Sequence, residues 1–463
     1  MNYDFAILGG GSAGYAAART AASLGLKTIV IEGGKEIGGL CILRGCMPSK
    51  TLIESANRFL TLRQTTEFGL SAEKIGFDGT AIIARKKRLI GEFADYRREQ
   101  LETGKFDFLR GQASFTGPNT VEIKLSDGSE KALQARSFLI CTGSIISSPA
   151  VSGLVESGCL TSADVLDLAE IPESVIVLGA GPVALELAHY FNGLGRRVTV
   201  LQRSGQLLKG VDEDVAAVVE NAFRKRGMEV FTETKLLRIE RDPDTRRVVF
   251  EHAGMEKSVE AAAVLNALGR QPNTANLGLD RAAVERHGAT VKITPNQQTT
   301  APHIFAAGDC SGPFEVVHVA IEQGELAARN AAKVLRGESA LENMDYRLKL
   351  YVVFTEPQVA CVGLSESEAR TKGLDILTAT YPFNDHGKSM VMGESEGFVK
   401  LIVDQATREI LGGSVVGPHA SDLIHEIVVA MRFRSTAGQL AAIPHYHPTL
   451  SEIWTYPAEE LAE

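Results

Sequence analysis

Apolar runs, and the glycines that end them, set the layout of the chain. Residues 3–8 form a nearly unbroken apolar run, the pattern of a short buried strand, and lead straight into Gly9-Gly10-Gly11-Ser12-Ala13-Gly14. An alanine-rich helix is predicted to about Leu24, then a second strand over 27–31 that ends at Glu32. The order returns later in the chain. A strand is predicted over 175–178, followed by Gly179-Ala180-Gly181-Pro182-Val183-Ala184, a helix through about Asn192 and a strand over 197–201. Gly9 and Gly179, Gly11 and Gly181, and Gly14 and Ala184 are each 170 positions apart, so one register describes both segments. The glycines of such a turn permit a tight bend, close approach of backbone to a pyrophosphate and close helix packing, while the helix N-terminus offers N–H donors to the anion. Two such units imply two nucleotides.

The pattern changes around them. A long helical excursion is predicted over about 80–103, and a polar linker over 336–347. Beyond it, 349–354, 398–403 and 410–416 read as strands and 421–431 as a helix. The fold class predicted is α/β, with two Rossmann-like dinucleotide-binding domains and a C-terminal α+β domain. Their expected extents are residues 1–147 with 268–340, residues 148–267, and residues 345–463.

Composition narrows the function classes. At 463 residues the chain should hold about three domains of ~150 residues, and 44% hydrophobic content is ample for their cores. Its longest apolar stretches fall well below the ~20 residues that span a bilayer. A net charge of −9 argues against nucleic acid, and Lys86-Lys87-Arg88 reads as a solvated helix face. With a strand starting at the third residue there is no room for a signal peptide, so the expected location is the cytoplasm, where a disulfide is usually catalytic.

The stretch Gly38-Gly39-Leu40-Cys41-Ile42-Leu43-Arg44-Gly45-Cys46-Met47-Pro48-Ser49-Lys50 puts two cysteines five apart directly after the first unit. It reads as a redox-active disulfide beside a flavin. On an ideal helix, Cα atoms five apart sit near or beyond the ~7 Å limit for a disulfide, so the turn has to be distorted, and Gly45 permits that. Two buried thiols, or half of a metal site, are the other readings. A zinc site wants a second cysteine or histidine pair at ligand spacing, whereas Cys141, Cys159, Cys310 and Cys361 are scattered singly, so no metal is expected.

The two units differ where a ribose would lie. Glu32, 21 residues after Gly11, is placed to accept from a ribose hydroxyl; 21 residues after Gly181 stands Gln202, followed by Arg203, with Arg196 and Arg197 upstream. A carboxylate would repel a 2′-phosphate, whereas an amide beside guanidinium groups accepts one. The second unit is therefore read as an NADP(H) site, the alternative being that Arg203 is a solvated loop charge.

Near the C-terminus, His445-Tyr446-His447-Pro448-Thr449-Leu450-Ser451-Glu452 holds a histidine and a glutamate five apart. Thiol–disulfide exchange needs a proton acceptor, and an imidazole near its ordinary pKa of ~6.5 stores and returns a proton at neutral pH. A surface metal pair of His445 and His447, or a core role for His447, competes with that reading. The eight other histidines are assigned structural roles, apart from His318.

With these segments in view, the chain resembles the class I pyridine nucleotide-disulfide oxidoreductases, the family of dihydrolipoamide dehydrogenase, glutathione reductase and mercuric reductase, from about Tyr3 to Glu452. The resemblance implies FAD held by Gly9, Gly11, Ser12, Ala13, Gly14, Glu32 and Gly39. It adds Ala113, within the 111–115 strand near the adenine, Thr142 and Gly143 in Leu139-Ile140-Cys141-Thr142-Gly143-Ser144, and Asp309 after the 304–308 run. Val316, Val317 and His318 would approach the flavin ring, as would Lys50, with Glu186 as its partner. The nicotinamide nucleotide would take Gly179, Gly181, Pro182, Val183, Glu186, Gln202, Arg203 and Gly269, which opens the return segment Gly269-Arg270-Gln271-Pro272-Asn273. In this family the last domain dimerises and donates the acid-base dyad, so the resemblance implies a homodimer in which His447, oriented by Glu452, serves the partner's disulfide.

The resemblance also implies a mechanism. Electrons pass from NADPH through FAD to Cys46, and Cys41 is the interchange thiol that meets a small disulfide or lipoyl-type substrate. Arg44 adds a cation between the cysteines, and three outcomes stay open for it: a lowered thiol pKa, a contact to an anionic substrate, or a solvated side chain. Mercuric reductases carry a C-terminal cysteine pair and lack the histidine dyad, whereas this chain has no cysteine after Cys361, which disfavours mercury reduction. An NADPH-linked disulfide reductase is the first expectation. An NADH-linked dihydrolipoamide dehydrogenase is the second, and a redox-sensing flavoprotein with little turnover the third.

Overall fold

The structure, a computed structural model, describes residues 2–462, and the chain divides into two compact units. The first comprises residues 1–49, 84–147 and 269–345. Its centre is a seven-stranded sheet in which β1 (Asn2–Leu8), β2 (Thr28–Glu32), β3 (Asp107–Arg110), β4 (Gln112–Gly117), β5 (Thr120–Lys124) and β6 (Glu130–Ile140) run in the order β3-β2-β1-β6-β5-β4. The strand Ile304–Ala306 joins β6 in parallel. Strands β1, β2, β3 and β6 are parallel neighbours, and the register aligns Leu8 with Ile31 and with Ile140, and Ala306 with Ile140. That alignment gathers Gly9, Glu32, Cys141 to Gly143 and Ala307 to Asp309 at one carboxyl edge, where open α/β sheets bind ligands.

The helix α1 (Ser12–Ser23) follows the glycine turn, and its alanines Ala13, Ala17, Ala18 and Ala21 are buried in one cluster with Ala327, Ala328 and Ala331. Small side chains on both partners let helix Val317–Leu335 pack closely on α1. Short helix α2 (Gly39–Leu43) and long helix α3 (Cys46–Arg63) come next, then α4 (Gly79–Glu102), the helical excursion predicted at 80–103.

The second unit comprises residues 50–83, 148–268 and 346–463. Residues 50–83, which the sequence reading assigns to the flavin domain, fall here because the apolar face of α3 (Leu52, Ile53, Ala56) shares a buried cluster with Leu187 and Phe191. A five-stranded parallel sheet holds strands Glu229–Phe231, Arg197–Leu201, Ser174–Leu178, Ala263–Asn266 and Leu160–Thr161, in that order. A three-stranded antiparallel ribbon spans Lys235–Arg241, Arg246–His252 and Met255–Ala261. The last segment folds as a five-stranded antiparallel sheet (Leu350–Val353, Gln358–Gly363, Ile410–Gly417, Phe398–Asp404, Ile376–Pro382) packed under helix Ala420–Arg432. Two of its strands, Gln358–Gly363 and Ile376–Pro382, lie outside the three singled out by pattern. No helix among the described residues is long and apolar enough to cross a membrane.

Candidate active site

The two cysteines stand on either side of a helix break. Cys41 lies in α2, whose C-cap Arg44 leaves helical geometry at φ −139° and ψ 8°, and Cys46 opens α3. Both are partly buried. Gly45 serves differently from the expectation: it is not among the positive-φ glycines, and its role is room. A Cβ there would lie 3.2 Å from Cys41 Cα and 3.0 Å from Leu40 O, closer than most side chains sit to a neighbour, so glycine lets the entry to α3 approach the backbone of Cys41 without displacing it. Gly39, at φ +75°, seats α2 against the first glycine turn, since its Cβ would be 2.7 Å from Gly11 Cα. The cysteine pair is thus anchored to the backbone that caps α1.

The other four cysteines are chemically quiet. Burial pushes the thiols of Cys159, Cys310 and Cys361 up to about 11, and that of Cys141 well above its ordinary value, with Cys310 adding repulsion there. A thiol held that high is not a thiolate at neutral pH.

The first turn has the features of a dinucleotide cradle. A Cβ on Gly9 would strike Cys141 O at 2.4 Å, and one on Gly14 would strike Gly9 O at 1.9 Å, whereas one on Gly11 would meet nothing nearer than Gly39 Cα at 3.9 Å. Room therefore opens at Gly11, beside the first residues of α1, Ser12 and Ala13, where a helix N-terminus offers N–H donors to an anion. Both oxygens of Glu32 accept backbone N–H groups, from Gly10 at 2.7 Å and Gly34 at 2.5 Å, which fixes its carboxylate at the turn. Ala113 lies in β4.

Thr142 and Asn273 join the two motifs at the sheet edge: the threonine hydroxyl donates to Asn273 O at 2.8 Å, and Asn273 N donates to Gly143 O at 2.9 Å. Beside them Ser144 donates to Asp309 at 2.6 Å and accepts from Arg270 Nε at 2.8 Å. Val317 and His318 open the helix Val317–Leu335, with Val316 as its cap.

Lys50, one turn beyond Cys46 on α3, forms two hydrogen bonds to Glu186, at 2.8 and 2.6 Å. Glu186 is 4% exposed and also accepts from Phe354 N at 3.1 Å, and the Lys50 ammonium lies 4.8 Å from the Phe354 ring centroid. Breaking one partner of so buried a pair costs far more than a surface pair is worth.

At the second turn Gly179 repeats Gly9, and Gly181 caps helix Pro182–Gly193, with Pro182 at its first position and Val183 exposed beside it. Gly269, at φ +113°, has open space at its Cβ. Gln202 Nε2 donates to Ser204 Oγ at 2.6 Å and to Gln206 O at 3.2 Å, leaving Arg203 exposed and without an ion pair among the described residues. Arg196 and Arg197 are a correction. They stand at the opposite end of strand Arg197–Leu201, which pairs Arg197 with Ser174 and Leu201 with Leu178, and Arg196 stacks over Phe77 at 5.0 Å. Neither flanks Gln202.

In the last domain His447 Nδ1 lies 3.0 Å from Glu452 Oε2; the imidazole side chain is 79% exposed and the carboxylate 11%. Nδ1 is thus the nitrogen turned to Glu452, and the exposure of the ring rules out a core role for His447. His445 takes a separate carboxylate, Glu426, at 2.6 Å from its Nε2. Sequence reasoning missed the group behind the dyad. His386, fully buried, presents Nε2 to the other oxygen of Glu452 at 3.5 Å and Nδ1 to Ser389 Oγ at 2.8 Å. Burial holds this imidazole below its ordinary pKa, against the attraction of Glu452 and with repulsion from His447 added. No periodicity marks His386 in the sequence, since it caps a one-turn helix, Gly387–Met392.

Arg44 pairs with Glu36 at 3.1 Å, both well exposed, a contact worth about 0–1 kcal/mol that neutralises the cation between the cysteines.

Residues 3–324 match the family described as "Pyridine nucleotide-disulphide oxidoreductase", and residues 350–458 match its "dimerisation domain". A dihydrolipoyl dehydrogenase of Chlamydia trachomatis is 34% identical over 460 residues, covering 98% of this chain and 96% of that protein. Among solved structures, LpdA from Mycobacterium tuberculosis superposes with a TM-score of 0.88 at 30% identity over 99% of both chains. The HOCl-induced flavoprotein disulfide reductase RclA from Escherichia coli does so with a TM-score of 0.85 at 26% identity, again over 99% of both.

Proposed function

The chain belongs to the pyridine nucleotide-disulphide oxidoreductases, and from that premise we propose that it reduces an external disulfide with NADPH through the Cys41/Cys46 pair, in the cytoplasm. The family implies FAD and a pyridine nucleotide, and the dimerisation domain supports a homodimer. The observation that carries the reading is the helix break between Cys41 and Cys46, pressed by Gly39 onto a turn shaped for a dinucleotide. Bound FAD would supply the two-electron chemistry that links a nicotinamide to the cysteines.

The chain's own residues would do the rest. Gly9, Gly11, Gly14, Glu32 and Asp309 would hold the cofactor, and Lys50, fixed by Glu186, would place a cation beside it. A Cys41 thiolate attacks one sulfur of the substrate, breaking its S–S bond, forming a mixed disulfide and releasing one thiolate. Cys46 then attacks the Cys41 sulfur, closing the 41–46 bond and expelling the second thiolate. His447 protonates a leaving thiolate and recovers the proton when the pair is reduced again, with Glu452 holding the imidazole through Nδ1. The outward Nε2 of an exposed histidine on the dimerisation domain supports delivery of the dyad to the partner subunit's disulfide. Gln202 and Arg203 would receive the 2′-phosphate of NADPH.

Replacement of the interchange thiol is the direct test. Cys41→Ser should lose disulfide turnover by more than about 10³-fold while still binding flavin, and His447→Gln by about 10²–10⁴-fold. Full activity of Cys41→Ser on every disulfide tried would end this reading. The 34% identity to a dihydrolipoyl dehydrogenase favours a second one, turnover of dihydrolipoamide with NAD⁺. Stopped-flow reduction separates them, since reduction by NADH as fast as by NADPH would select the second.

A further inference from the structure

Glu452 meets an imidazole at each of its oxygens: Oε2 lies 3.0 Å from His447 Nδ1, and Oε1 lies 3.5 Å from His386 Nε2. The two histidines sit in opposite surroundings, His447 at the surface and His386 fully buried. Nδ1 of His386 lies 2.8 Å from the hydroxyl of Ser389, which is fully buried too. Nε2 has no closer hydrogen-bond partner among the described residues, and the carboxylate of Glu452 is the acceptor it faces.

The buried ring has little freedom to turn elsewhere. Tyr456 stands edge-on to it, with centroids 6.4 Å apart, and stacks in turn on Tyr381 at 3.9 Å. The Tyr381 hydroxyl lies 3.2 Å from Asp385 Oδ2, which ties down the residue before His386. The charged groups that act on His386 are Glu452, which favours a proton on it, and His447, which opposes one. Burial outweighs the attraction and holds the imidazole below its ordinary pKa, so it is neutral at pH 7. A neutral imidazole carries one N–H, and beside a carboxylate that proton belongs on the facing nitrogen, because a lone pair there would meet a lone pair of Glu452. Ser389 then donates to Nδ1.

We propose that His386 is a positioning residue of the dyad: its Nε2–H holds the second oxygen of Glu452, so that the carboxylate is gripped from both sides and keeps the His447 ring in one orientation. The inference rests on the disulfide-reductase reading, in which His447 protonates the leaving thiolate. His386 gives up no proton and touches no substrate; it acts through Glu452. A contact of 3.5 Å is long for a hydrogen bond, and contacts of this kind tighten once the reacting groups are in place. A carboxylate held by one oxygen alone can swing, and a small displacement of the imidazole from the leaving sulfur slows proton transfer steeply.

The leaving thiolate separates this role from a merely structural one. An alkyl disulfide releases a basic thiolate that needs a proton, whereas the aromatic disulfide DTNB releases one that is stable without it. The assay uses full-length holoprotein and whichever of lipoamide, cystine and glutathione disulfide it reduces fastest. His386→Phe, which fills the buried space but cannot donate, should lower kcat for that alkyl disulfide about ten-fold, with KM and DTNB turnover changed by less than about two-fold. His386→Gln, which keeps an N–H donor, should recover most of the loss. Ser389→Ala, which removes the donor to Nδ1, should lose about two-fold with the same selectivity, and it carries the test if His386→Phe fails to fold. Equal losses on the alkyl disulfide and on DTNB in these variants, or a Gln variant as slow as the Phe variant, would overturn the role of His386. Full alkyl-disulfide turnover by His447→Gln would instead overturn the dyad. Wild-type protein that takes hydride but reduces none of these disulfides would overturn the disulfide reading and this inference together.

Discussion

The two glycine turns share one register, and they agree at their first two positions and part at the third. Gly9 (φ +117°) and Gly179 (φ +102°) are both pressed on a neighbouring strand, their Cβ positions 2.4 Å from Cys141 O and 2.6 Å from Ala267 O. Gly11 and Gly181 both open to space. At the third position a Cβ on Gly14 would lie 1.9 Å from Gly9 O, whereas Ala184 carries its Cβ fully buried in the second unit. Helix α1 thus sits against its turn more tightly than helix Pro182–Gly193 does. The ribose positions part in the same way: Glu32 is fastened by two backbone donors, while Gln202 is folded onto Ser204 and Gln206 and leaves Arg203 exposed. Shared sequence spacing sets the course of the backbone at both turns; helix packing and one side chain make the two turns differ.

The largest break in this comparison is Gly14→Ala against Ala184→Gly. The first should cost about 3 kcal/mol or more and yield protein purified without flavin, because a methyl group cannot share space with a carbonyl. The second should cost about 1 kcal/mol, the usual helix penalty for glycine, with nicotinamide binding retained. Equal losses, read by thermal melts and flavin absorbance, would mean that the two helices pack alike.

A smaller effect sharpens the ribose contrast. Gln202→Glu should lower kcat/KM for NADPH by about 10–100-fold and Arg203→Ala by about ten-fold, with NADH spared, since a charge-assisted bond is worth about 1.5–3 kcal/mol. If both nucleotides respond equally, these residues do not read the 2′-phosphate.

The smallest concerns a carboxylate less well served than Glu32. Burial pushes Glu356 up to about 7, with repulsion from Glu394 adding to the shift and Arg226 opposing it. The folded protein then keeps a proton that the unfolded chain releases from pH 4.5 upward, so stability falls as pH rises from about 4.5 to 7. Glu356→Gln should flatten that slope, raising Tm by about 1–3 °C at pH 8 and little at pH 5. A gain at pH 5 as large as at pH 8 would refute the assignment.

Much of the site was legible because its signals are local. Gly9 and Gly179 announce themselves by a backbone geometry that glycine adopts freely, the buried strands by continuous apolar runs, and Cys41 with Cys46 by spacing alone. His447 and Glu452 are five residues apart and do meet. Other features involve residues with no local relation. His386, the cap of a short helix, reaches Glu452 from 66 positions earlier in the chain, and Arg44 pairs with Glu36. Arg196 and Arg197 looked close to Gln202 in sequence, yet a strand rising about 3.3 Å per residue carries them to the opposite edge of the sheet.

The sequence by itself determined the two nucleotide turns, the cysteine pair and the order of strands and helices, since each follows from the backbone preferences and periodicity of neighbouring residues. Only the tertiary structure decided which charges are answered and which are left open, because a side chain's partner depends on where distant segments of the chain come to rest.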